Sequence, residues 1–177
     1  MPDTQWPLWE VFKQDKPDKA HESVGTVHAP DAEMALLNAR DVYVRRPRAV
    51  SVWVCPHTAV YAKTAEELAA HPLLIEEDGP TQTYHVFIKT SQRRAMTFVH
   101  HVGAVTAVSP ESALQQAIDS GQFGSDVWVW WIIPDAAITR TAPGDAASLF
   151  DPALDKTYRQ QTYYGFVSPS RKKRNNG

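Results

Sequence analysis

Two stretches of the chain carry one order of apolar and polar positions. Val24-Gly25-Thr26-Val27-His28-Ala29 alternates as a strand does. It then runs through Asp31 into a segment where Ala32, Ala35, Leu36, Ala39 and Tyr43 recur at helical spacing. The same order returns 78 residues later, from Val102-Gly103-Ala104-Val105 to Asp119. Val24, Gly25, Val27, Ala29, Glu33, Ala35, Leu36, Ala39 and Asp41 all meet their own residue type at that offset. The chain therefore reads as two copies of one small unit.

Trp6-Pro7-Leu8-Trp9-Glu10-Val11-Phe12-Lys13 is the first strand, with proline admitted only at its start. Residues 14–22 are polar and read as a hairpin loop, returned by a strand over 23–28. Asp31 suits a helix N-cap, because its carboxylate can accept the free N–H groups of the first turn. Ser109 holds the matching place, followed by Pro110 at the first helical position. Residues 49–55, with Val50, Val52, Trp53 and Val54, make a third strand stopped by Pro56, and Val60-Tyr61-Ala62 a short fourth. Residues 65–70 form a linking helix, and residues 71–80 are the inter-unit connection.

In the second copy Tyr84-His85-Val86-Phe87-Ile88 answers Trp9-Glu10-Val11-Phe12-Lys13 at an offset of 75. The offset is 78 by Gly103, so the second hairpin loop is longer by three residues, where a length change costs least. Residues 126–133 repeat the third strand, and Pro134 answers Pro56. The pattern predicts an α+β chain of tandem β-β-α-β(β) units. Its expected divisions are a first unit over 1–64, a linker over 65–82, a second unit over 83–141 and an extended tail over 142–177. The tail's basic end, Arg171-Lys172-Lys173-Arg174, reads as disordered.

The run Trp128, Trp130, Trp131 adds a packing problem. Alternation puts Trp128 and Trp130 on one face and Trp131 on the other, so both faces are apolar and one helix covers only one of them. The sister unit, the tail or a partner chain must cover the rest.

Composition changes this picture little. The 177 residues, 43% hydrophobic and 21% charged, suit an ordinary globular protein. A formal charge of -2 gives no general attraction to nucleic acid or membrane. The longest apolar run, residues 127–133, is too short to span a bilayer, and the N-terminus shows no secretion signal. The single cysteine excludes an internal disulfide, and a cytoplasmic protein is expected.

The candidate chemistry is sparse. His100 and His101 adjoin in sequence and face opposite sides of a strand, while His28, His57 and His85 lack acidic or histidine partners at ligand spacing. The histidines are expected to be structural or on the surface, with no metal site, catalytic set or cofactor. Cys55 stands two residues from His57, but Pro56 intervenes and the second copy has Ile133 and Asp135 there, so a buried structural cysteine is expected. Gly25 and Gly103 fit no phosphate-binding spacing and are expected to permit a bulge or a close backbone approach. Arg45-Arg46-Pro47-Arg48 could meet an anionic ligand or acidic partner, without the aromatic interleaving that nucleic acid would need.

Several segments together resemble the family of B subunits of the ring 1,2-phenylacetyl-CoA epoxidase. They are residues 6–12, Val24-Gly25-Thr26-Val27-His28-Ala29 with Asp31, Met34-Ala35-Leu36, Asn38-Ala39-Arg40-Asp41-Val42-Tyr43 with Arg45-Arg46, and Val50-Ser51-Val52-Trp53-Val54. In the tail, Phe150-Asp151-Pro152-Ala153, Lys156, Tyr158-Arg159 and Thr162-Tyr163-Tyr164 are similar to the family's C-terminal segment. Members are typically single-unit chains, so the second unit is a departure.

The resemblance implies a ubiquitin-like (β-grasp) α+β roll, here doubled into a pseudo-dimer. It implies a non-catalytic structural or regulatory role, bridging the catalytic subunits. Its partners would be the catalytic subunit with its carboxylate-bridged di-iron site, the structural subunit and the reductase, and homo-oligomers are a further expectation. Asn38, Arg40, Arg45, Arg46, Phe150, Asp151, Lys156, Tyr158, Arg159 and Tyr163 become the partner-binding candidates. The alternative from another class is a small α+β barrel enzyme, of monooxygenase or isomerase type, using His57, His100 and Arg40.

Overall fold

The computed structural model describes residues 5–44, 49–75, 78–91, 98–124 and 126–151. The first unit runs β1 (Leu8–Gln14), β2 (Glu22–His28), α1 (Ala32–Tyr43), β3 (Ser51–Pro56) and β4 (Tyr61–Thr64). A short helix α2 (Ala65–Ala70) follows. The second unit runs β5 (Gln82–Lys89), β6 (His100–Ala107), α3 (Pro110–Asp119), β7 (Val129–Pro134) and β8 (Thr139–Arg140), and ends in α4 (Ala146–Phe150). Each third strand passes into a 3-10 turn, His57–Ala59 or Asp135–Ala137. The α+β class and the order of elements agree with the sequence pattern.

Local chemistry explains the boundaries. The Asp31 carboxylate accepts from the Met34 N–H at 2.8 Å, and the Ser109 hydroxyl from the Ser112 N–H at 3.1 Å, so both main helices start on side-chain caps. Thr64 and Glu67 form a reciprocal capping box on α2. Val24 is an extra residue between Gly25, opposite Val11, and Ser23, opposite Phe12, and Val102 repeats that bulge between Gly103 and His101. At Gly25 the backbone has φ +132°, and a Cβ there would fall 2.3 Å from the Tyr43 hydroxyl, which donates to the Thr26 carbonyl at 2.9 Å. Glycine is required at that position on both counts.

The strands form one sheet in the order β4-β7-β5-β6-β2-β1-β3-β8, and every described pair is antiparallel. A ubiquitin-like roll sets its first and last strands side by side in parallel. Here β1 lies between β2 and β3 and is antiparallel to both, so that parallel pairing is not found among the described strands. The short fourth strand is present but does not stay at home: β4 pairs with β7 of the second unit, and β8 pairs with β3 of the first. The halves also meet between β2 and β6, where Ser23 N–H bonds the Val99 carbonyl and His101 N–H the His21 carbonyl, each at 2.8 Å.

Alternation sorts the side chains into three cores. Trp9, Val11, Val52 and Val54 pack under Ala35 and Ala39 of α1. Tyr84, Val86, Ile88, Trp130 and Ile132 pack under Ala113, Leu114 and Ala117 of α3. The opposite strand faces merge into a third core, where Phe12 and Cys55 meet Phe87, Val129, Trp131 and Ile133. Phe12 and Phe87 lie 4.3 Å apart between ring centroids. Their strands are three places apart in the sheet, about 14 Å if it were flat, so the sheet curls to bring its halves face to face.

The sister unit is thus the lid that the second face of β7 needs. Trp130 and Trp131 take opposite faces as expected, but Trp128 precedes the strand and stays 41% exposed. The start of the tail is not extended: α4 forms there, and Phe150 packs against the first unit's core. Among the described residues no helix is long and apolar enough to cross a membrane, which leaves β-barrels aside.

Candidate functional site

One indole gathers the polar chemistry of the seam between the units. Trp53 lies on the inner face of β3, opposite Arg140 of β8. His21 stacks on Trp53 at 3.8 Å, His85 and His101 meet it edge-on at 5.4 and 5.3 Å, and the Arg140 guanidinium lies 4.8 Å from the ring centre. His85 and His101 come inward from β5 and β6 because alternation turns them away from α3. Trp53 and His21 come from the first unit, and His85, His101 and Arg140 from the second.

Hydrogen bonds bind the cluster together. His85 Nδ1 lies 2.9 Å from His101 Nε2, and His85 Nε2 lies 2.9 Å from Asp135 Oδ1. Arg140 donates to Asp135, and its Nη2 is also 2.9 Å from His85 Nε2. His21 Nε2 is 3.0 Å from Ser51 Oγ. Arginine only donates and a carboxylate only accepts, so His85 Nε2 satisfies Asp135 or Arg140 according to whether it carries a proton. Burial, reinforced by the neighbouring cations, pushes His21 and His101 down to about 4. Hydrogen bonds from His85 and Arg140 hold Asp135 below the usual carboxylate range.

A second acid–histidine pair occupies the matching place in the first unit. The offsets of 75 and 78 carry Glu10 onto His85 and His57 onto Asp135, so acid and imidazole have changed places. His57 Nδ1 lies 2.8 Å from Glu10 Oε1, with Glu10 buried and His57 exposed. Burial raises the Glu10 carboxyl, and the bond and charge of His57 only partly oppose it. Cys55, opposite Glu10 in the sheet, is buried, and burial, then the Glu10 charge, pushes its thiol up to about 12. A thiol held protonated while His57 engages Glu10 is a structural cysteine.

Two grooves flank the main helices. A groove of about 380 Å³ between α1 and α4 is lined by Glu33, Arg40, Arg140, Thr141 and Asp145 among others. A groove of about 690 Å³ between α2 and α3 is lined by Leu68, Leu73, Ile118, Val127 and Trp130 among others. Arg40 and Ile118 correspond across the repeat, as do Leu37 and Gln115. At those two positions the grooves exchange side chains: the first has Leu37 and Arg40, the second Gln115 and Ile118.

Of the partner-binding candidates, Asn38 donates from α1 to the His28 carbonyl at 3.0 Å, which ties the helix to β2. Arg40 meets Asp41 at 3.0 Å and lines the smaller groove, with Phe150 and exposed Asp151 at the end of α4. Arg45, Arg46, Lys156, Tyr158, Arg159 and Tyr163 lie outside the described residues. Neither groove includes His57 or His100, so the three barrel-enzyme candidates do not converge on either.

His57 and His85 have no acidic or histidine partner at ligand spacing along the chain, but the folded sheet brings them Glu10, Asp135 and His101 from distant positions. Among the described residues no group of three His, Cys, Asp or Glu side chains could hold a metal ion. One signal for the seam was present in the sequence. Aligning the repeat pairs Glu10 with His85 and His57 with Asp135.

Comparison with known proteins matches the family described as "Phenylacetic acid degradation B" over residues 5–73 and 81–171. The chain is 45% identical over 67 residues to the B subunit of 1,2-phenylacetyl-CoA epoxidase from Escherichia coli (strain K12), a match covering 38% of this chain and 70% of that protein. No solved structure matches.

Proposed function

The chain belongs to the phenylacetic acid degradation B family, and from that premise we propose that it is a non-catalytic component organising a multicomponent di-iron oxygenase similar to ring 1,2-phenylacetyl-CoA epoxidase. Its setting is phenylacetate degradation. The observation that carries the reading is the family match over both units, its second stretch reaching residue 171 and so including the tail motifs. The catalytic and structural subunits of the epoxidase, with its reductase, are the partners on this reading, and a cytoplasmic location goes with it. Arg40, Phe150 and Asp151, together with Arg45, Arg46, Lys156, Tyr158, Arg159 and Tyr163, supply the contact surface. Asn38 shapes it from behind.

Co-expression with the catalytic subunit tests this directly. Deleting residues 150–164 should abolish co-purification while leaving the chain folded. Equal recovery of the complex without that segment would remove the tail from the proposal. The chain purified alone should carry no iron and oxidise no phenylacetyl thioester.

The duplicated chain also acts as a pseudo-dimer, doing in one molecule what two single-unit chains would do. The exchange of β4 and β8 between units supports this reading, because each unit completes the other's sheet. The division into a first unit over 1–64 and a second over 83–141 is then one of sequence rather than of independent folding. Light scattering should find a monomer of 19.8 kDa, and an obligate dimer of whole chains would count against it.

A further inference from the structure

The two exchanged strands are held very differently. β4 pairs four residues with β7 and continues into the capped helix α2. β8 pairs only Arg140 and Thr139 with β3, aided by Thr141 N–H to the Val52 carbonyl at 3.0 Å and Val52 N–H to Thr141 Oγ1 at 3.1 Å. What β8 has instead is the cluster: Arg140 lies over Trp53 and donates to Asp135. We propose that this cluster is a proton-controlled latch, closed when its imidazoles are neutral and released when they are protonated, which frees β8 and α4 from the first unit.

The charge count makes the argument. Arg140 is a permanent cation, and among the described residues Asp135 is the one carboxylate in the hydrogen-bonded cluster, already engaged by it. The groups facing this site are His21 before β2, Ser51 and Trp53 on β3, His85 on β5, His100 and His101 on β6, Asp135 on the 3-10 turn and Arg140 on β8. A proton on any of the imidazoles adds a cation with no second anion in the cluster to meet it. His85 and His101 centroids are 5.0 Å apart, and both rings surround the indole on which Arg140 rests. A proton on His85 Nε2 also ends its capacity to accept from Arg140. The depressed titration of His21 and His101 is the same repulsion and burial seen from the proton's side. Release would move α4 off α1 and open the groove beside Arg40. The latch is a property of the chain by itself and does not require the partner assignment.

Hydrogen exchange on the full chain, corrected for the intrinsic pH dependence, reads it. Between pH 7 and pH 5 the protection of residues 139–151 should fall by about tenfold or more, as expected when opening is coupled to proton uptake. Protection of β4 and α2 should change by less than about twofold, since their ladder carries no such cluster. Equal protection of 139–151 at both pH values would overturn the latch, and so would a parallel loss in β4. In the double variant His21→Gln, His101→Gln the pH effect should shrink several-fold, and its persistence would overturn the proposal. Asp135→Asn provides an independent arm if that variant fails to fold: release should move to higher pH, and an unchanged midpoint would count against the latch. Co-purification with a catalytic subunit plays no part in these readouts, so this proposal and the assembly role fail separately.

Discussion

Glu10 with His57 in the first unit and His85 with Asp135 in the second stand at matching places of the repeat, yet burial treats them oppositely. The first pair puts its carboxylate inside, so Glu10 is raised; the second puts its carboxylate at the surface beside Arg140, so Asp135 is lowered. A similar divergence separates Arg40 from Ile118 in the two grooves. Backbone positions that set helix starts, bulges and core contacts were kept in both copies, because each unit must still cover the other's inner face. The divergence in charge reaches the inner face itself, where buried Glu10 and mostly buried His85 hold matching places.

Four experiments would break or sharpen that comparison. The largest effect should come from the shared core: Phe12→Ala and Phe87→Ala should each cost about 3–5 kcal/mol in urea unfolding. Each should also lower the whole chain in one transition. Separate transitions for the two halves would show that the inner faces do not act as one core.

Next come the glycines. Gly25→Ala meets both the positive φ and the Tyr43 hydroxyl and should cost about 2–3 kcal/mol. A Cβ at Gly103 would sit 2.9 Å from the Phe123 ring, and Gly103→Ala should cost about 1 kcal/mol, since that ring is a side chain that can shift. Equal losses in thermal unfolding would mean the bulges are as alike in strain as in sequence.

The caps should show the units at their most similar. Asp31→Ala and Ser109→Ala should each lose about 1 kcal/mol, measured by chemical denaturation.

The acid–histidine pairs should give the smallest effects, of opposite sign. Glu10, raised in the folded state, favours folding fully below 4.5 and loses that contribution as pH rises through its folded value, so Glu10→Gln should stabilise at pH 7 by about 0.5 kcal/mol. Asp135, lowered in the folded state, contributes above 3.8 and loses that as pH falls, so Asp135→Asn should destabilise at pH 7 by about 0.5 kcal/mol, a value reduced for its exposure. His21 and His101, lowered from 6.5 to about 4, contribute fully above 6.5, and that contribution is lost progressively down to about 4. Melting temperatures of the two variants across pH 4 to 8 check both signs, and shifts in the same direction would remove the contrast.

Much of this was legible in the chain. Asp31, Ser109 and Pro110 marked the helix starts, Pro56 and Pro134 closed the third strands, and the repeated Val-Gly segments foretold the bulges, because caps, prolines and glycines act within a few residues of themselves. The opposite faces of Trp130 and Trp131 followed from alternation alone. The need for a lid on the second face followed too, though not its identity. Trp128 escaped because it stands just before the strand, where alternation does not apply.

The sequence by itself determined the repeat, the elements, the buried cysteine and the family motifs, all carried by neighbours along the chain or by the match between copies. Only the tertiary structure decided that β4 and β8 change units, that Phe12 meets Phe87, and that His21, His85, His101 and Arg140 gather around Trp53. Those contacts join residues 30 to 89 positions apart, across a sheet whose curl local pattern does not specify. The pattern says which face of a strand is apolar. It leaves open which other face will cover it.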